Sequence, residues 1–237
     1  MTAKMVVPGV YRVPLGPVNA FLIDHDGLTL IDTGIPGSAG KILDAVRDIG
    51  KKPADIRQIL LTHAHADHTG SLAALKRELG VVATYMHSLD AELLRQGVAG
   101  RPVRPAPGLF NRLFYTAFFA RQSGMPKVEP AEVEHIVEDG SVLPVAGGFQ
   151  VIHIPGHCAG QVAFLWPEQG GVMFAADAAS NMFGLAYSPI YEDLALGRRS
   201  LRKLGKFKFE VACFGHGKPI TEGAAERFAR RWPSAPR

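Results

Sequence analysis

The chain has 237 residues, of which 47% are hydrophobic and 20% charged, with a formal charge of +4. That composition excludes a disordered protein and leaves enough apolar material for a substantial core. The two cysteines, Cys158 and Cys213, are too few for a disulfide framework, and no apolar run is long enough for a membrane span or a signal peptide, so a cytoplasmic setting with reduced thiols is expected.

In chain order, β-rich runs at residues 11–13, 19–23 and 28–31 predict three strands, with Asp24-His25-Asp26-Gly27 as a hairpin turn. Apolar Ile42, Ala45, Val46 and Ile49 recur at helical spacing and predict a helix over 36–49, with Pro36 in its first turn. A β-branched and aliphatic run at 56–61 predicts a buried strand, followed by a helix over 71–79 and a strand over 81–86. Residues 97–108 carry three glycines and three prolines and read as a stiff loop. Beyond it Phe110, Phe114 and Phe118 recur at i, i+4 and i+8, an apolar stripe expected to be covered rather than left in water. Strands are predicted at 133–137, 149–154, 161–166, 172–175 and 210–214, and helices at 193–204 and 222–231. Strands in runs with helices between them suggest two mixed β-sheets, each covered by helices, in one domain.

The chemistry concentrates in His63-x-His65-x-Asp67-His68, just past the strand at 56–61. Three imidazoles and a carboxylate within six residues suit Zn²⁺, Fe or Mn. In an extended chain His63, His65 and Asp67 share one side, and His68 begins the turn to the other. Three more donors close apolar strands in the same way: His157 after Ile154-Pro155-Gly156, Asp177 after Phe174-Ala175-Ala176, and His216 after Phe214-Gly215. The remaining histidines (His25, His87, His135, His153) fall outside this pattern and read as structural or solvent-facing. Both cysteines read as small buried residues. Basic residues gather late in the chain, from Arg198 to Arg231, without the interleaved aromatic residues that stack bases. A small-molecule substrate is therefore expected, with no nucleic acid and no membrane as partner.

With the order His63, His65, Asp67, His68, His157, Asp177, His216, and with Asp32-Thr33-Gly34 after an early strand, residues 10–220 resemble the metallo-β-lactamase superfamily. The resemblance implies an α/β fold, an αββα sandwich with a dinuclear site at one edge, over residues 1–237 as a single domain. It implies that His63, His65 and His157 hold one divalent ion, that Asp67, His68 and His216 hold the other, and that Asp177 bridges both. Zinc is the first choice for the pair, with Fe or Mn as options. Two such ions would acidify a bridging water to a hydroxide nucleophile and polarise the substrate oxygen, with Asp67 as the catalytic residue that relays a proton to the leaving group. Asp32 is expected to hydrogen-bond near the site rather than to ligate.

Several branches of the superfamily are disfavoured. The redox branch resembles His-x-Glu-x-Asp, and residue 65 is His. The glyoxalase II enzymes add a C-terminal helical domain, whereas this chain ends soon after His216. Quorum-quenching lactonases place a tyrosine where Ser180 stands, although Tyr187 and Tyr191 lie near enough in sequence to substitute. The reading is hydrolysis of a carboxylic ester, thioester or lactone with an apolar portion. The alternatives are a phosphodiesterase, a promiscuous β-lactamase, or a metal-binding sensor without turnover. Residues 97–127 read as a helical cap insertion over the site, as packing on its own domain, or as a homodimer interface. Arg101, Arg104 and Arg112 are candidates to meet a substrate carboxylate or phosphate at the pocket rim.

Overall fold

A computed structural model describes residues 2–120 and 124–234. Two sheets form its centre. The first has seven strands in sequential order: Lys4–Val7, Val10–Pro14, Asn19–Asp24, Leu28–Ile31, Ile56–Leu60, Ala83–His87 and His135–Val137. Its first four strands pair antiparallel and the last four run parallel. The second sheet places Val211–Cys213 beside Val172–Phe174, followed by Val162–Trp166, Phe149–His153 and Val142–Leu143.

The sequence alternation explains the layers. In Asn19–Asp24, Ala20 and Leu22 face one cluster while Phe21 and Ile23 face another. The same alternation puts Val151, Phe164 and Phe174 between the two sheets and Ile152, Ala163 and Met173 on the far side of the second. Both sheets are therefore apolar on two faces and need three buried layers. Helices Ala39–Asp48, Leu72–Leu79 and Ser88–Arg95 cover the outer face of the first sheet. Helices Leu194–Leu204 and Ala224–Arg231 cover the outer face of the second, through Leu201, Leu204 and Phe228. The architecture is the expected αββα sandwich.

Strands Phe149–His153 and Val172–Phe174 both run antiparallel to Val162–Trp166, and Val211–Cys213 runs parallel to Val172–Phe174. All three thus end on the same edge. There the sheets are joined by Asn19 N to Gly215 O at 2.8 Å and Val162 N to Thr62 O at 2.9 Å. This edge collects the loops that carry the candidate ligands.

Local differences from expectation have local causes. Helix Ala39–Asp48 starts three residues later than predicted because Gly37 takes a left-handed φ of 85° ahead of it. Helix Ser88–Arg95 was not anticipated; His87 caps it by accepting a hydrogen bond at Nδ1 from Leu89 N. Helix Leu109–Phe118 forms where the stripe predicts it, yet none of its residues is buried: Phe110 and Phe118 are 56% and 65% exposed. The expectation that the stripe would be covered does not hold within this chain. No helix among the described residues is long and apolar enough to cross a membrane.

The aromatic centre between the sheets makes a direct test. Phe149 packs on Phe164, Trp166 and Phe174 with ring centroids 6.2–6.4 Å apart. Phe149→Ala should lower unfolding stability by about 3–5 kcal/mol in urea titration, whereas Phe110→Ala should change it by less than about 0.5 kcal/mol. Equal losses would contradict the layer assignment.

Candidate metal centre

The structure brings all seven predicted donors together. His63 and His65 follow strand Ile56–Leu60 in extended backbone, but the chain then turns into a short helix, Ala66–Thr69, that carries Asp67 and His68. The extended reading of this motif is therefore right only as far as His65. The helical turn swings Asp67 and His68 toward a different corner, which splits the motif between two clusters.

In the first cluster His63 Nε2 and His157 Nε2 stand 3.2 and 3.0 Å from His65 Nδ1. In the second, Asp67 Oδ2 lies 3.3 Å from His216 Nε2 and 3.8 Å from His68 Nε2. Asp177 lies between the two. Its Oδ2 is 3.5 Å from His157 Nε2 and 3.0 Å from His216 Nε2, and its Oδ1 is 3.6 Å from His68 Nε2. Gly215 permits this approach, since a Cβ there would stand 2.1 Å from Asp177 Oδ1. The backbone before Asp177 is also unusual: Ala176 takes a φ of 48°, a left-handed conformation that costs a non-glycine residue about 1–3 kcal/mol.

Each imidazole except His65 is oriented by an oxygen on its far nitrogen. His157 Nδ1 donates to Ile190 O at 2.9 Å and His216 Nδ1 to Pro17 O at 2.8 Å. His68 Nδ1 donates to Asp32 Oδ2 at 2.8 Å. His63 Nδ1 donates to Thr62 Oγ1 at 3.0 Å, and that hydroxyl donates to Asp32 Oδ2 at 2.8 Å. Such contacts fix the tautomer that leaves the other nitrogen free for a cation. Asp32 thus supports both clusters without facing either, as expected from its position. His65 differs: its far nitrogen, Nε2, faces Cys158 Sγ at 3.3 Å. Cys158 is buried, as expected, but it touches His65, which its place beside His157 in the sequence did not reveal.

The electrostatics divide the two clusters. Burial pushes the imidazoles of His63, His65 and His157 below their ordinary range, His157 to about 3, so these three are neutral. Burial is also the largest single influence on His68 and His216 and lowers both. For these two the carboxylates of Asp177 and Asp67 outweigh it, and His68 ends up at about 10. Burial would raise the carboxyls of Asp67 and Asp177, but the neighbouring imidazoliums His68 and His216 hold both below the usual range. Charge of the sign a divalent ion supplies therefore gathers where Asp67, Asp177, His68 and His216 meet. Two of the facing atoms, His68 Nε2 and Asp177 Oδ1, are buried without any hydrogen-bond partner. Neutral nitrogens, anionic oxygens and unpartnered buried atoms together fit divalent cations.

The chain has known counterparts in sequence and in fold. A sequence profile described as the metallo-beta-lactamase superfamily matches residues 13–216. The chain belongs to the metallo-β-lactamase superfamily. It is 27% identical to the probable metallo-hydrolase YqjP of Bacillus subtilis over 93% of this chain and 74% of that one. It is 25% identical to the hydroxyacylglutathione hydrolase GloC of Haemophilus influenzae over 91% and 95% of the two chains. A Cronobacter sakazakii metallo-β-lactamase variant superposes with a TM-score of 0.75, covering 98% and 91% at 21% identity, which shows a shared fold. Membership makes the protein a metallohydrolase that binds divalent metal and acts on small molecules.

Beside the centre lies a cavity of about 310 Å³, lined by His65, Arg101, Val103, Tyr115, Phe119 and Met125 among others. The aromatic wall is thus Tyr115 and Phe119 rather than the predicted stripe. Arg101 is already engaged by Asp90 and Leu89 O, and Arg104 and Arg112 do not line the cavity. A larger hollow of about 360 Å³, lined by Val142, Gln150 and Lys208 among others, contains no metal-type donor.

Asp177→Ala should empty both clusters of metal and lower hydrolysis by orders of magnitude while far-UV circular dichroism stays native. Elemental analysis showing two retained ions in that variant would contradict the bridging position.

Proposed function

We propose that the protein is a dinuclear zinc hydrolase of carboxylic esters, thioesters or lactones with an apolar portion. In this reading one domain spans residues 1–237, and residues 97–127, of which 121–123 lie outside the described residues, form a helical cap over the centre. The observation that carries the proposal is the cavity that opens from His65 onto an apolar wall of Tyr115 and Phe119. The resemblance to a hydroxyacylglutathione hydrolase supports a thioester among the substrates.

His63, His65 and His157 would hold one ion and Asp67, His68 and His216 the other, with Asp177 shared. Bound there, the ions would supply a water nucleophile at neutral pH and a Lewis acid for the substrate oxygen. The Asp67 side chain is 33% exposed, against 17% for His216 and 4% for Asp177. That exposure suits it to carry a proton to a leaving group. Tyr115 and Phe119 exclude water from the acyl side of the cavity and bind an apolar chain.

Tyr191 does not stand in for the tyrosine missing at Ser180: its hydroxyl donates to Ala178 O at 2.7 Å and accepts from Ser188 N at 3.1 Å. A reducing, cytoplasmic location agrees with two buried, unpaired cysteines.

The zinc-loaded protein should turn over acyl thioesters and esters with higher kcat/KM than phosphodiesters or β-lactams. Tyr115→Ala and Phe119→Ala should each lower the long-chain to short-chain kcat/KM ratio about tenfold, the loss of about 1.4 kcal/mol of differential binding. Preference for phosphodiesters, or an unchanged ratio in both variants, would overturn this assignment. Absence of turnover with two ions bound would favour the sensor alternative.

A further inference from the structure

The start of the insertion also packs against the ligand loops. Gly100 lies so close to His65 that a Cβ there would stand 2.7 Å from the ring's Cδ2. Arg101 follows, donating from Nη1 to Asp90 Oδ1 at 2.8 Å and from Nη2 to Leu89 O at 2.6 Å. Asp90, in helix Ser88–Arg95, has no exposed surface. Its Oδ2 accepts from the backbone N–H of Ala64 at 3.0 Å, between His63 and His65. Its Oδ1 accepts from the N–H of Gly160 at 3.1 Å, in the loop after His157. Only glycine fits at that position, because a Cβ on Gly160 would stand 2.6 Å from the Asp90 carboxylate. Glu192 adds a parallel contact: Oε2 accepts from Ala159 N at 2.9 Å while Oε1 is 3.5 Å from Arg101 Nη1.

We infer that Asp90, braced by Arg101, is a positioning residue for the first metal subsite: it sets the spacing between the His63–His65 loop and the His157 loop. Asp90 and Arg101 belong to none of the donor clusters, so they act through backbone geometry rather than by ligation. The three histidines of that subsite come from two separate loops, and one buried carboxylate takes an N–H from each. Charge-assisted hydrogen bonds in a dry setting are strong and directional, and metal–ligand bonds tolerate only about 0.2 Å of error. Asp90 makes no hydrogen bond to the elements of the second subsite, where Asp67 and His68 share a helical turn and Asp32 and Pro17 O orient His68 and His216. The insertion that walls the cavity thereby also braces one half of the metal centre.

This inference rests on the dinuclear reading, and cobalt titration of metal-free protein separates the two. His216→Ala isolates the first subsite and His157→Ala the second, each followed by calorimetry and by the d–d absorption of Co²⁺. Asp90→Asn should weaken cobalt binding about tenfold or more in the His216→Ala background and alter its d–d spectrum. In the His157→Ala background it should change affinity by less than about threefold. Arg101, at the cavity surface, gives a milder pair of variants: Arg101→Lys should retain most of the affinity that Arg101→Leu loses at the first subsite. Thermal melts of the metal-free variants identify any that do not fold, and the Arg101 pair then carries the test. Equal losses in both backgrounds, or no loss in either, would overturn the positioning role. Failure of the otherwise unmodified chain to bind two cobalt ions would instead overturn the dinuclear reading.

Discussion

The carboxylate of Asp32 links the two halves of the centre. Fully buried and held at a left-handed φ of 59°, it accepts from His68 Nδ1, from Thr62 Oγ1 and from Thr62 N, and through Thr62 it also orients His63. One anion therefore sets the tautomer of a ligand in each cluster. The donors gather two carboxylates and five imidazoles within a few ångströms, and oxygen acceptors behind four of the rings keep the facing nitrogens aimed. The sandwich provides that rigidity, because three strands of the second sheet and one of the first end at the same edge and are joined there by backbone hydrogen bonds.

Much of this was legible in the sequence, for identifiable reasons. β-rich runs at 19–23 and 149–154 marked strands, and the Gly-flanked candidate donors that follow apolar runs marked strand ends. The seven donors could be named because their residue types are costly to gather by accident. The Asp32 role was legible from its place after Leu28–Ile31. What escaped was contact between distant segments. Asp90 lies in a stretch whose sequence pattern predicted no element, and only the folded chain shows that its carboxylate reaches both Ala64 and Gly160. The Phe110, Phe114 and Phe118 periodicity correctly predicted a helix. It misjudged which side chains would matter, since the cavity is lined by Tyr115 and Phe119 from the adjoining face.

Substrate selection and metal geometry meet in the same insertion. Its loop touches His65 through Gly100, reaches Asp90 through Arg101, and continues into the helix whose rings wall the cavity. Residues that line the cavity and residues that brace the loops of His63, His65 and His157 thus belong to one continuous stretch of chain. Burial keeps His63, His65 and His157 neutral, while at the other cluster the carboxylates of Asp67 and Asp177 face the imidazoliums of His68 and His216. The two clusters differ in electrostatic character although Asp177 lies between them.

The most direct test is the zinc-loaded crystal structure with anomalous scattering at the zinc edge. Two peaks about 3.5–4 Å apart are predicted. One should be bound by His63 Nε2, His65 Nδ1 and His157 Nε2, the other by Asp67, His68 Nε2 and His216 Nε2, with Asp177 contacting both. A single peak, or a peak bound by His65 Nε2 together with Cys158, would contradict the account.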